Sequence, residues 1–389
     1  MWTAWSLVER LAGCRRCPAA NGDGAMKHFF VGFVLGAILL ILRGQAGETA
    51  PDDLLRPPGI VPAGMPVLAP LLPGAFAEAA WDGRRAELKR EWTRVLGGFP
   101  ETKVALEPEF LVREDRATFT RQRVTYQIEK GVRTDAMLLI PKGAAGARPG
   151  MVLFHPTYDG HYARVAGMEA RADPESQQAV QLAEHGYVVL CPRCFLWDEF
   201  PGKTQAKTGA ALYLANVRRM QERHPGWTGM TRMTWDGMRA IDFIQTLPEV
   251  DPRRIGIFGH SLGAKEVIYV AAFDDRVKCT VFSEGGIGLS FSNWEDGWYL
   301  GPQIKQAGFS REHHELLGLI APRPFLLLAG ESADGDRSWP FIKAALPAYR
   351  WSGKPTNLAW LNHRAGHRYP PEAQRVAQTF LDRALKPVP

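Results

Sequence analysis

Residues 254–273 read RIGIFGHSLGAKEVIYVAAF, and this stretch decides the fold. Arg254 to Phe258 alternates like a short buried strand, and Ala264 to Phe273 reads as a helix. Between them stands Gly259-His260-Ser261-Leu262-Gly263, a G-x-S-x-G pattern in strand–turn–helix context. Such a turn holds a serine on strained backbone with its hydroxyl exposed. The flanking glycines are needed because a Cβ would strike the neighbouring strand and helix. Ser261 is therefore the candidate nucleophile.

Downstream and upstream of this turn the rhythm is strand, loop, helix. Strands are expected at 151–154, 187–190, 254–258, 277–282, 324–328 and 358–361, with helices at 178–184, 234–247 and 371–385. Before them, 110–140 alternates in short runs that suit antiparallel strands, and 78–96 carries Trp81, Leu88, Trp92 and Leu96 on one helical face. Strands alternating with helices predict an α/β fold, a mostly parallel twisted sheet with helices on both faces.

A serine hydroxyl needs a base, and the base an orienting carboxylate. In this architecture the acid follows a later strand and the histidine comes near the end. PFLLLAGESADGDRSW (324–339) ends a strand and presents Glu331, Asp334 and Asp336. LAWLNHRAGHRYPPEA (358–373) ends the next and presents His363 and His367. His367 lies on a turn before the last helix and is favoured over His363, which is nearer the strand. Asp334 is the first choice of acid and Asp336 the alternative. The oxyanion of an acyl-transfer intermediate needs two N–H donors, here expected from Leu262, opening the helix, and Thr157, in the loop HPTYDG after 151–154. His155 and His260 read as structural support.

From about Trp81 to Leu385 the chain resembles an α/β-hydrolase. MTWDGMRAIDFIQTLPEVDPRRIGIFGHSLGAKEVI (233–268) is similar to bacterial acetyl-xylan-esterase-like and dienelactone-hydrolase-like enzymes. The resemblance implies a serine esterase with Ser261, Asp334 (or Asp336) and His367 as its triad, and no cofactor. Rival expectations are a serine peptidase of the prolyl-oligopeptidase type, an esterase for lipid, lactone or aryl esters, and an inactive binding protein on the same scaffold. Fewer than 150 residues precede the core, which is short for the propeller that such peptidases usually add.

An insertion at about 283–322 is rich in aromatics. Trp294, Trp298 and Tyr299 follow the strand after the elbow, where flat faces suit sugar rings or aromatic acyl groups; equally, they could pack the insertion's own small core. His313-His314-Glu315 reads as a polar helix face rather than a metal site, and no metal is expected.

Net charge is +6, but residues 1–46 hold Arg10, Arg15, Arg16, Lys27 and Arg43 against only Glu9 and Asp23. No basic stripe remains, so nucleic acid is not an expected partner. Met26-Lys27-His28, the uncharged 29–42 stretch and Gly44-Gln45-Ala46 describe a signal peptide, too short to span a bilayer comfortably, with an uncleaved anchor as the alternative because Arg43 lies so close to the cleavage point. The expected organisation is an over-extended start (1–25), a signal peptide (26–46), a Pro-rich leader (47–77) and a catalytic domain (78–389). The protein is accordingly expected to be secreted or periplasmic, meeting a small-molecule or oligosaccharide ester, with no stable membrane span after cleavage. Cys191 and Cys194 have C-x-x-C spacing without a second ligand pair or thioredoxin-like context, so they read as buried or incidental.

Overall fold

The computed structural model describes residues 54–386, apart from 61–62, 66, 73–79, 144–145, 158–160, 170–172 and 199–208. The expected over-extended start and signal peptide lie outside the described residues.

The first element is helix α1 (Trp81–Leu96), which buries the predicted stripe and stops at Gly97 in the left-handed conformation. Strands β1 (Glu109–Asp115), β2 (Phe119–Glu129) and β3 (Val132–Pro141) form an antiparallel meander. Then come β4 (Arg148–Phe154), the short α2 (His161–Val165), α3 (Gln178–Glu184) and β5 (Val188–Pro192). Helices α4 (Gly209–Arg223) and α5 (Gly229–Ile244) precede β6 (Val250–His260), α6 (Leu262–Phe273) and β7 (Val277–Ser283). The chain continues with α7 (His314–Ile320), β8 (Phe325–Ala329), α8 (Trp339–Trp351), β9 (Leu358–Asn362) and α9 (Pro371–Leu385).

The strands form one sheet in the order β1-β2-β3-β5-β4-β6-β7-β8-β9. It is antiparallel up to the β3–β5 pair and parallel from there on. Side chains of a strand alternate between faces, so a parallel sheet covered on both sides needs apolar residues at every position. β4 shows it: Val152 and Phe154 join the core shared with α5 and α6, whereas Met151 and Leu153 face Phe380 and Leu381 of α9. β8 splits the same way, Phe325 and Leu327 against Leu326 and Leu328.

After β4 the chain places β5 on one side, and β6 then pairs with β4 on the other. The strand order reverses there, the place in an open α/β sheet where ligands bind beyond the carboxyl ends of the strands. Cys191, Cys194 and Cys279 are free and buried. Among the described residues no helix is long and apolar enough to cross a membrane.

Candidate active site

Ser261 stands at the end of β6 with φ 58° and ψ −117°, and its side chain does not cap the helix that follows. A non-glycine residue with positive φ costs roughly 1–3 kcal/mol and persists only where the surroundings enforce it. Here the surroundings are close-packed backbone. A Cβ on Gly259 would run into the Gly263 carbonyl, and one on Gly263 into the carbonyl of Phe154 on β4. The two glycines thus let α6 start directly against the sheet. The Ser261 N–H donates to Ser283 O at 2.9 Å, tying the turn to β7.

Leu262 opens α6, so its N–H is one of the donors with no partner inside the helix. The parallel register pairs Phe154 with Gly259, which sets the 155–157 turn alongside 260–262. His155 organises that turn. Its Nδ1 is 2.8 Å from Pro156 O and its Nε2 accepts the Cys194 N–H at 3.1 Å, so the proton sits on Nδ1. Thr157 follows and is exposed.

His367 lies beyond β9, with its ring 4.9 Å from that of His260 beside the nucleophile. His260 is itself buried and engaged through Nδ1 with Ser283 Oγ at 2.9 Å, and burial brings its pKa down to about 3. It is neutral support, as expected. His363 is half-buried, and its Nδ1 accepts the Ala365 N–H within its own loop.

The carboxylate beside His367 is Glu284. Its Oε2 is 3.2 Å from His367 Nδ1, and the residue is fully buried. Asp334, the acid expected from the sequence, is also fully buried but turns away from the imidazole. Its Oδ2 accepts the Gly286 N–H at 2.6 Å, and its Oδ1 accepts Ile287 N–H and Ser338 Oγ–H, each at 2.8 Å. The alternative, Asp336, is engaged with Arg364 at 2.6 Å and with Asn362 at 2.8 Å. The reason for both departures is geometric. Glu284 ends β7 with φ 52°, one strand nearer the nucleophile, and its carboxylate takes the N–H groups of Gly330 and Ala333 from the loop after β8. It thereby fills the space beside His367 that a carboxylate from that loop would need. No local sequence signal separates Glu284 from the acids of the later loop, since the strand before it also carries Lys278.

In the aromatic insertion, two of the three residues follow the core-packing alternative rather than the sugar-facing one. Trp294 and Tyr299 are fully buried and pack around Lys265, whose Nζ lies 4.2 Å and 5.2 Å from the two ring centroids. Their large apolar faces complete the core over α6. Trp298 remains half-buried, with its ring 5.5 Å from that of Tyr213. His313 and His314 are buried too, bonded to Tyr269 Oη and Ile287 O, and to Ala69 O. Among the described residues no group of His, Cys, Asp and Glu is arranged to hold a metal ion.

The comparisons agree with this fold. Residues 134–294 match the Dienelactone hydrolase family. YtaP of Bacillus subtilis (strain 168), a hydrolase by name, is 26% identical over 256 residues, covering 63% of this chain and 80% of YtaP. The 4-O-methyl-glucuronoyl methylesterase 1 of Sodiomyces alcalophilus is 28% identical over 136 residues, which is 28% of this chain and 27% of that enzyme. Among solved structures, the glucuronoyl esterase from Solibacter usitatus superposes with a TM-score of 0.65 at 18% identity, covering 84% of this chain and all of that one. With the sheet order, the strained serine turn and these matches together, residues 134–294 resemble a dienelactone hydrolase family domain and the chain is a serine hydrolase of the α/β-hydrolase fold.

Proposed function

We propose that the protein is an exported esterase that cleaves carboxylic esters of carbohydrates, uronoyl esters first among them, through an acyl-enzyme on Ser261. The observation that carries this reading is the His367–Glu284 contact of 3.2 Å beside a serine held at φ 58°. The carbohydrate part draws support from the methylesterase and glucuronoyl esterase likenesses. Export draws on the signal-like segment at 26–46.

In this reading Ser261 Oγ attacks the ester carbonyl carbon while its proton passes to His367 Nε2. Glu284 accepts the Nδ1–H, which stabilises the imidazolium as it forms. The negative oxygen of the tetrahedral intermediate is met by the N–H groups of Leu262 and Thr157, the first reinforced by the positive end of α6. Collapse breaks the bond to the alcohol oxygen, which leaves with the proton from His367. Water then attacks the acyl-enzyme, giving its proton to His367. The second collapse returns that proton to Ser261 and frees the acid.

The test is a substrate panel on purified protein: a methyl glucuronate ester, an acetylated xylo-oligosaccharide, a longer aryl ester and a proline-containing peptide. Turnover of the carbohydrate esters well above the rest supports the reading. Preference for the peptide would move the chain to the peptidase class, and preference for the aryl ester to a general esterase.

A further inference from the structure

Asp334 is buried in a place where a chain seldom leaves a carboxylate without a task, and its partners identify the task. All three of its hydrogen bonds come from donors, and two of these are the consecutive N–H groups of Gly286 and Ile287, directly after Glu284. The carbonyls of the same turn are held as well. Lys265 Nζ donates to Gly285 O at 2.7 Å, Trp294 Nε1 to Gly286 O at 2.7 Å, and His313 Nδ1 to Ile287 O at 2.8 Å. These side chains come from α6, the insertion and the start of α7, so the turn is gripped from several elements at once.

The grip has a purpose because the turn is strained. Glu284 has φ 52° and Gly286 has φ 77°. A buried glutamate with left-handed backbone keeps that conformation only if its neighbours enforce it. The loop after β8 closes the arrangement reciprocally. Its Gly330 and Ala333 N–H groups hold the Glu284 carboxylate, while its Asp334 carboxylate holds the backbone that carries Glu284. The Glu331 N–H donates to Asp334 O at 2.8 Å and fixes the loop's own shape.

We infer that Asp334 is a positioning residue, which acts on His367 through Glu284 by fixing the 284–287 turn and never touches the imidazole. This rests on the reading of Ser261, His367 and Glu284 given above. An aspartate suits the place because both its oxygens accept. An asparagine would keep one acceptor and turn an NH2 group against a backbone N–H.

The experiment is a double-mutant cycle on the full chain, with kcat and KM measured on the best ester of the panel. Asp334→Asn should lower kcat by about 10- to 100-fold with KM little changed. In a Glu284→Gln background the same substitution should cost less than about 3-fold, because the path to His367 is already cut. The strongly deshielded Nδ1 proton of His367 in NMR should shift or vanish in Asp334→Asn while the remaining spectrum stays native. Losses that multiply in the double variant, or a His367 proton that does not move, would overturn the inference. If Asp334→Asn does not fold, Ser338→Ala, which removes one of its three donors, takes its place. It should give a smaller loss with the same non-additivity, and multiplied losses there would overturn the inference equally. A Glu284→Gln variant with full activity would instead overturn the triad reading itself, so the two failures are distinguishable.

Discussion

Glu284 Oε2 lies 3.2 Å from His367 Nδ1, although Glu284 ends β7, His367 follows β9, and β8 runs between those two strands. The glutamate spans that gap past the end of β8, where Gly330 and Ala333 supply N–H donors to its carboxylate. These donors fix the carboxylate's orientation toward the imidazole, which is what a histidine base requires of its partner.

Glu284→Gln should therefore reduce kcat by about 10²–10⁴-fold with little change in KM, since an amide cannot stabilise the imidazolium. Asp336→Asn should change kcat by less than about 3-fold. Its contacts are to the exposed Arg364 and to Asn362, and exposed pairs are worth ~1 kcal/mol or less. Steady-state kinetics of both variants on one ester checks the pair of expectations.

The strain at Ser261 predicts a separation of stability from activity. Ser261→Gly should raise thermal stability, by about 1 kcal/mol, because glycine tolerates positive φ. Ser261→Ala retains a Cβ and should gain nothing. Both should lose nearly all turnover. Calorimetry of the two variants beside the parent protein decides it, and equal melting temperatures would show that the turn carries no strain.

The same buried environment fixes the charge of several histidines. Burial brings His155 down to about 4, and His260 and His313 to about 3. An unfolded chain protonates its histidines near pH ~6.5. The stability these three contribute is thus complete above that pH and is lost as pH falls toward their folded values, about 1.4 kcal/mol per pH unit for each. Asp236 and Glu312, raised to about 7 by burial, and Asp198 and Asp334, raised to about 6, act with the opposite sign as pH falls. Imidazole NMR reads the groups singly: all three rings should remain neutral at pH 5, with His155 carrying its proton on Nδ1. A charged His260 at that pH would contradict its placement.

How much of this was legible in the sequence varies with the physics behind each feature. β4 and β6 to β9 were readable because parallel strands buried on both faces leave continuous apolar runs. α1 and α9 were readable because each buries a single stripe. Helix α8 was missed: Pro347 lies inside it, and an internal proline reads as a helix end. The serine turn was legible from its own glycines, a local steric requirement. Glu284 was not, because the choice between acids on neighbouring strands depends on which loop reaches His367, a tertiary fact. Asp334 lay in the right loop for an acid and differs only in where it points. Trp294 and Tyr299 show the same limit, for a sequence gives aromatic residues without saying which are covered.

Those aromatics now make distinct predictions. Trp294→Ala should destabilise the fold by about 3–5 kcal/mol, as expected for emptying a buried indole site. Trp298→Ala should be mild on stability. If Trp298 borders the sugar path, that substitution raises KM for an oligosaccharide ester and leaves a small aryl acetate unaffected, since remote contacts act only on substrates that reach them. Equal losses on both substrates would make Trp298 a prop of the insertion.

The most direct test of the central claim is covalent labelling with a fluorophosphonate, followed by intact mass and peptide mapping. The account predicts one adduct per chain, on Ser261, absent in Ser261→Ala and slowed by at least about 100-fold in His367→Ala and Glu284→Gln. An adduct on another residue, or undiminished labelling of Ser261→Ala, would contradict it.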